Sequence, residues 1–294
     1  MRILLSLFWL LLCLSPVSAE TFRAPAPDRN LNHSDYEIKL LRIALEHAGD
    51  HELVLVEDYR GLPSNQGRKL RQFVDGNSPY DVIFSGYSPA RENELRMIYI
   101  PLTRGLLGHR LLFIRRATDT QLKAIHSLAG LTKAITLGMP ISHPERSIYE
   151  AANFTVVAAP GGEALWDLLA RGRYDALLFG ADESALILEK YGGIRDGASL
   201  VISNHIRVSY AYDSFFYVAK GDDRRAAIIE EGLKKAYASG AFMTHFQNFP
   251  PIREGLALIE AGTRQEIHMD NPFISDRFRA IPAKYWHQFG SETE

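Results

Sequence analysis

The sequence predicts an α/β protein made of two similar lobes that share a cleft. Three observations lead there. First, one phrase occurs twice: Leu-Arg-Gln-Phe-Val-Asp-Gly at 70–76 runs on to Tyr-Asp-Val-Ile-Phe at 80–84, and Leu-Trp-Asp-Leu-Leu-Ala-Arg-Gly at 165–172 runs on to Tyr-Asp-Ala-Leu-Leu-Phe at 174–179. Each copy reads as the end of an amphipathic helix, a glycine stop, then Tyr-Asp opening a short buried strand. Second, strand and helix patterns alternate around each copy, which is the rhythm of an α/β sheet. Third, apolar segments at 111–114 and 210–220 lie where the chain would cross from one lobe to the other and return. Two lobes joined by crossing segments enclose a groove, and a groove is where a ligand sits.

The elements follow in order. Residues 22–25 read as a first strand, followed by a Pro/Asn/Asp loop to Asn32. Ser34, with Glu37 three residues later, forms a capping box. The helix behind it places Leu40, Leu41, Ala44, Leu45 and Ala48 at helical spacing and stops at Gly49. A strand at 53–56, a helix at 66–75 and a strand at 80–84 complete the first run. Gly105-Leu-Leu-Gly108 then leads into the first crossing. The second lobe reads as a helix at 119–129, a strand at 133–137, a loop at 138–142, a helix from 144, a strand at 154–158, a helix at 162–171, a strand at 174–179 and a helix at 183–191. After the return strand, a helix at 223–239 puts Ile228, Ile229, Leu233 and Ala236 on one face and ends at Gly240. A helix at 252–261, a strand at 265–269 and Tyr285-Trp286 suggest a tail wrapping a lobe. The lobes are expected at 20–107 plus 214–294 and at 108–213, with hinge strands near 105–110 and 210–215.

Bulk properties exclude several classes. Met1-Arg2, the apolar stretch 3–14 and Val17-Ser18-Ala19 form a cleavable export signal, 1–19, with cleavage after Ala19 and the periplasm as destination. The stretch is shorter than the ~20 apolar residues of a membrane span. Cys13 lacks the small preceding residues of a lipobox. It is the one cysteine of the chain, so the exported protein of about 275 residues has no disulfide and depends on its core. Losing Arg2 moves the formal charge from −2 to −3, and no basic run points to nucleic acid. Phosphate-loop, dinucleotide, serine-elbow and His-Glu-x-x-His motifs are absent, and the ten histidines show no metal-ligand spacing, so neither cofactor nor metal is expected. Glu145-Arg146 and Arg115-Arg116 read as solvated charge runs.

Four segments carry a family resemblance. Tyr-Asp-Val-Ile-Phe-Ser-Gly-Tyr-Ser-Pro-Ala-Arg at 80–91, Ser-Leu-Ala-Gly at 127–130 leading to Gly138, Gly-Arg-Tyr-Asp at 172–175, and Phe-Phe-Tyr-Val-Ala-Lys-Gly-Asp at 215–222 with the following helix and Ser239-Gly240 together resemble the bacterial type II periplasmic solute-binding proteins that bind amino acids. The wording Pro-Leu-Thr-Arg-Gly-Leu-Leu-Gly-His-Arg at 101–110, with Asp270-Asn271-Pro272, departs from the family's usual text. The resemblance implies a two-lobed fold, each lobe a mixed sheet flanked by helices.

Turns at the carboxyl ends of strands face the crevice in such sheets. Ser85, Gly86, Tyr87 and Ser88 are therefore candidate ligand contacts through hydroxyls, backbone N–H groups and ring stacking. Arg91 is the candidate carboxylate clamp, because a guanidinium offers a bidentate fork, and Arg96 is the alternative. Ser142 either joins an anion site at a helix start or caps that helix. Asp182 and Glu183 occupy the loop where the resemblance implies an acid for an ammonium group, and Asp182 is also read as the cap of helix 183–191. Asp28, Arg29 and Asn30 are candidate rim contacts.

The expected function is capture of a small polar solute, amino acid-like, by hinge closure, for an inner-membrane ABC permease or a sensor. A monomer is expected, with no nucleic acid partner. The alternatives are a dehydratase or lyase on the same fold, with Asp182 or Glu183 as general acid, and a ligand-free interaction module docking through 249–294.

Overall fold

The computed structural model describes residues 19–27, 35–57, 66–141, 143–262 and 264–289. The leader with Cys13, the rim candidates Asp28, Arg29 and Asn30, the cap Ser34, and Ser142 lie outside the described residues.

The chain opens with β1 (Thr21–Pro25), α1 (Asp35–Ala48) and β2 (Glu52–Val56). The two strands pair in parallel from Thr21↔Glu52 to Pro25↔Val56. Helix α1 buries Tyr36, Ile38, Leu40, Leu41, Ala44 and Leu45, the stripe expected from their spacing. Next come α2 (Gln66–Val74), β3 (Val82–Gly86), α3 (Pro89–Glu94) and β4 (Leu95–Met97). A 3₁₀ turn at Leu106–Gly108 leads into β5 (His109–Arg115), the first strand of the second lobe.

There, α4 (Arg116–Leu122) and α5 (Leu128–Ala134) precede β6 (Thr136–Pro140). Then follow α6 (Arg146–Ala151), β7 (Thr155–Ala159), α7 (Glu163–Ala170), β8 (Ala176–Gly180), α8 (Ala181–Tyr191), β9 (Gly193–Arg195) and β10 (Ala198–Ser209). The chain returns through β11 (Ser214–Ala219), α9 (Asp223–Ser239) and α10 (Ala241–Asn248). It ends in a tail of α11 (Pro250–Glu260), β12 (Gln265–His268) and α12 (Asp276–Arg279).

In the first lobe, β3, β11 and β4 form an antiparallel sheet beside the β1–β2 pair. In the second lobe a seven-stranded mixed sheet runs β12-β10-β5-β8-β6-β7, with β9 on the edge of β10. Both lobes are densely filled: Phe22, Phe215, Phe216 and Tyr217 in the first, Phe113, Tyr149 and Tyr174 in the second, are all inaccessible. No helix among the described residues is long and apolar enough to cross a membrane.

Several boundaries differ from the sequence reading, each for a local reason. Strand β3 runs to Gly86 instead of stopping at 84, because the partner strand continues pairing to Ser214↔Gly86. The helix expected at 119–129 is two helices. Ser127 caps the second by accepting from the Gly130 N–H at 3.1 Å, and this moves the following strand from 133–137 to 136–140. The return strand expected at 210–220 is also divided: β10 ends at 209, β11 starts at 214, and the crossing lies between. Polar Ser203, Asn204 and His205 hide β10 from a hydrophobic pattern, and its pairing with β5 shifts register between Ile202 and Arg207. Helix α8 begins at Ala181, straight after β8.

The tail belongs to neither lobe alone. Helix α11 lies on α8 of the second lobe, where a β-carbon on Gly255 would meet the Ala181 carbonyl oxygen at 2.7 Å. Strand β12 then pairs in parallel with β10, Ile206↔Gln265 to Ser209↔His268. Residues 265–268, read from sequence with 214–294 as first-lobe material, thus extend the second lobe's sheet. Beyond them the chain comes back: Ser275 Oγ donates to Glu92 Oε1 at 2.7 Å and Phe278 packs on the rings of Tyr87 and Phe215.

Candidate interlobe site

The two crossings are tied together by Asp213. Its buried carboxylate accepts from Thr103 N at 3.0 Å, from Thr103 Oγ1, from Gly105 N and from Ser214 N at 2.6 Å. Burial pushes this carboxyl up to about 6, against the pull of those donors. The turn it holds includes Arg104 at φ 54 and Gly105 at φ 89, a left-handed pair that needs such support.

Beside the crossings, on the second lobe, sits a buried polar cluster. Arg110 Nη2 pairs with Glu145 Oε1, and both side chains are 4% exposed. Tyr210 Oη donates to the same Glu145 oxygen at 2.5 Å, and Tyr149 Oη lies 2.8 Å from Tyr210 Oη. The Arg110 guanidinium is 5.6 and 5.3 Å from the ring centres of Tyr210 and Tyr212, at cation–π range. Glu145 is therefore no part of a solvated run, as its sequence context suggested. Its partner lies 35 residues away in the chain. Arg115 is likewise engaged, donating to the carbonyls of Leu169 and Tyr174 at 2.8 Å.

At the end of β3, most sequence candidates have structural duties. Ser85 is buried inside the strand, opposite Phe215. Gly86 is the last strand residue, and its carbonyl accepts from Arg91 Nη1 at 2.5 Å. Tyr87 is buried and donates to Glu92 Oε2 at 2.9 Å, so its ring does not offer a free stacking face. Ser88 caps α3 by accepting from Arg91 N at 3.2 Å. Arg91 is half-buried, and its charge is felt by the phenols of Tyr212 and Tyr217 and by the imidazole of His143 in the opposite lobe. Arg96 instead forms a surface pair with Asp223 at 3.2 Å.

His143 stands between opposite charges. Burial lowers its basicity, Glu145 and Glu183 oppose that, and Arg110 and Arg91 add to it. Arg91 of one lobe and Glu183 of the other thus act on a single imidazole.

The acids at the start of α8 differ in use. Glu183 Oε1 accepts from Gly180 N at 3.0 Å and lies 3.9 Å from Arg110. It holds the helix terminus in place of Asp182, because the helix begins two residues earlier than the sequence pattern indicated. Asp182 faces Glu37 across a cavity of about 150 Å³, lined also by Tyr36, Leu107, Ser214 and the tail residues Phe249, Pro251 and Ile252. Two larger cavities lie elsewhere: about 760 Å³ between α1 and α10, and about 530 Å³ where the crossings meet Phe278 and Trp286. Among the described residues no group of three or more metal-ligating side chains is placed to hold an ion.

Sequence reasoning missed Glu37 as a site residue, and with it Arg110, His143, Glu145 and Tyr210. Glu37 was visible as a capping-box acid, which accounted for it too early. Arg110 and Tyr210 carried a signal in being polar at the ends of apolar crossing segments.

The fold is that of the two-lobed periplasmic binding proteins. No protein-family model matches this chain, and no curated protein does. Solved structures are similar. One is an amino acid ABC transporter substrate-binding protein from Streptococcus pneumoniae bound to L-arginine: 15% identity, TM-score 0.55, covering 81% of this chain and 96% of that one. A second is the ligand-binding core of GluR0 from Nostoc punctiforme in complex with L-glutamate: 15% identity, TM-score 0.52, covering 80% and 100%. A third is a histidine kinase sensor domain with similarity to periplasmic binding proteins: 16% identity, TM-score 0.55, covering 78% and 94%. Those chains are covered almost end to end, while about a fifth of this chain lies beyond the match.

Proposed function

We propose that this protein captures a small polar, amino acid-like solute between its lobes and presents it to an inner-membrane ABC permease or sensor. One observation carries this reading: charged side chains of both lobes meet at the groove, Arg91 of the first on the Gly86 carbonyl and Glu183 of the second 3.9 Å from Arg110, with Asp182 on the adjoining cavity. A solute with an anionic and a cationic end satisfies both sides at once, and so favours the closed state over the open one. Residues 20–107 with 214–249 form one jaw and 108–213 the other, turning about 105–110 and 210–215. Export through the leader, with cleavage after Ala19, delivers a monomer to the periplasm. The similar structures support the capture step, since two of them hold an amino acid. Asp182 and Glu183 serve as binding groups in this reading, and no bond is made or broken.

Thermal unfolding of the exported form against amino acids, amines, sugars and carboxylates tests it. Binding at 100-fold above Kd stabilises by about 2.7 kcal/mol, and Arg91→Ala should weaken an anionic end by about 1.5–3 kcal/mol. A flat response across all four classes would sink the reading, and turnover of a stabilising compound would replace it with the lyase.

A further inference from the structure

The α1–α8 cavity contains an electrostatic imbalance that no side chain among the described residues corrects. Glu37 sits in the first turn of α1 and Asp182 in the first turn of α8, so the cavity is bounded by acids from both lobes. The residues as wholes are half-buried, but Glu37 Oε2 and Asp182 Oδ1 have essentially no accessible surface and no hydrogen-bond partner. Buried carboxylate oxygens are normally satisfied, and leaving one bare is costly.

The charges around them increase the imbalance. Asp213 and Glu183 add negative potential to both groups, and Tyr36 contributes a neutral phenol. Among the described residues, the cation that acts on Asp182 is Arg110, which is already committed to Glu145. Burial pushes Glu37 up to about 8, against its own backbone N–H and with Asp182 adding. Asp182 is also pushed up to about 8, by burial and then by Glu183. The remaining walls are the apolar Leu107, Phe249, Pro251 and Ile252, with Ser214 and Glu183. At about 30 Å³ per water, roughly five would fill the space. A planar cation with one or two methylenes fits it equally well.

We propose that this cavity is the receptacle for a guanidinium or ammonium group of the solute, which makes the cargo a basic compound instead of a neutral zwitterion. The inference rests on the capture reading above and names its substrate class. A flat guanidinium can donate to Glu37 Oε2 on one edge and to Asp182 Oδ1 on the other, bridging the lobes. The aliphatic stem lies along Leu107 and Ile252. Any proton held by the empty acids leaves as the cation enters, so affinity rises with pH, about tenfold per unit where one proton is released. The empty protein shows the complementary trend. Folded-state carboxyls held above their unfolded values lose stability as pH rises toward 8.

Isothermal titration with matched probes decides it: L-arginine against L-citrulline, whose urea has the same shape without charge, and L-lysine against L-norleucine. Wild type should bind each charged probe at least tenfold tighter than its neutral twin. In Glu37→Gln and Asp182→Asn that preference should fall at least tenfold. Both variants should flatten the loss of melting temperature between pH 6.5 and 8.5, a readout that needs no ligand and reports folding directly. Equal binding of charged and neutral twins, or a preference that survives both substitutions, overturns the inference and leaves solute capture intact. Failure of every probe and of the wider solute panel removes the capture reading itself, and the inference with it.

Discussion

The two copies of the repeated phrase, one per lobe, fold into the same local device and then diverge. In each, a helix ends on a left-handed glycine, Gly76 at φ 70 and Gly172 at φ 71. The following amides bond back alike: Gly76 N to Phe73 O and Asn77 N to Gln72 O, Gly172 N to Leu169 O and Arg173 N to Leu168 O. In each, the Asp exchanges two bonds with a residue of a neighbouring strand. Arg23 N donates to Asp81 Oδ2 at 3.0 Å and Asp81 N to Arg23 O at 2.8 Å; Thr136 N donates to Asp175 Oδ2 at 2.8 Å and Asp175 N to Thr136 O at 2.9 Å. The repeated Tyr-Asp is thus a clamp that starts two strands in register.

Beyond the strand the copies separate. After β3 the chain makes a two-residue turn before α3, which spends its hydroxyls on caps and delivers Arg91. After β8 it enters α8 at once, and this leaves Asp182 unspent at the groove. Shared scaffolding inside each lobe, with different endings at the cleft, is how one plan delivers Arg91 on one side and Asp182 on the other.

Truncating the clamp tyrosines is the hardest test. Tyr174 is buried, and its hydroxyl donates to the Leu165 carbonyl. Tyr174→Ala should cost about 3–5 kcal/mol by denaturant unfolding, and Tyr80→Ala should fall at the low end of that range. A loss under 1 kcal/mol at either would show that the two lobes are not built alike. Removing the clamp acids should cost less. Asp81→Ala and Asp175→Ala each leave a strand N–H without its acceptor and remove an ion pair, with Arg23 or Arg115, for about 1–3 kcal/mol. The values should agree within about 1 kcal/mol, since each acid accepts one strand amide and pairs with an arginine. The smallest effect belongs to the glycines: Gly76→Ala and Gly172→Ala should each cost about 1–2 kcal/mol, the penalty for an L-residue in the left-handed region. A neutral outcome at one alone would show that its helix end relaxes freely.

How much of this was legible in the text of the chain depended on range. The repeat announced itself because its contacts are local or repeat at fixed spacing. Helix α9 was likewise read at 223–239, the bounds it has, because Asp222 and Gly240 mark its ends. What stayed hidden is non-local. Nothing near Glu145 in sequence indicates Arg110. Nothing near Glu37 indicates that α8 will point a second acid at it. Ser85 and Tyr87 looked available because strand β3 was ended two residues early, and its true length depends on β11, 130 residues downstream.

The tail has a mechanical consequence. A receptor joined by two crossings opens like a book. This chain makes two further passages, out along α11 and back after β12, so the covers are laced together at the fore-edge as well as the spine. Opening about the spine must therefore carry the tail with it, and the same tail lends Phe249, Pro251 and Ile252 to the cavity wall, so the lacing and the grip share residues.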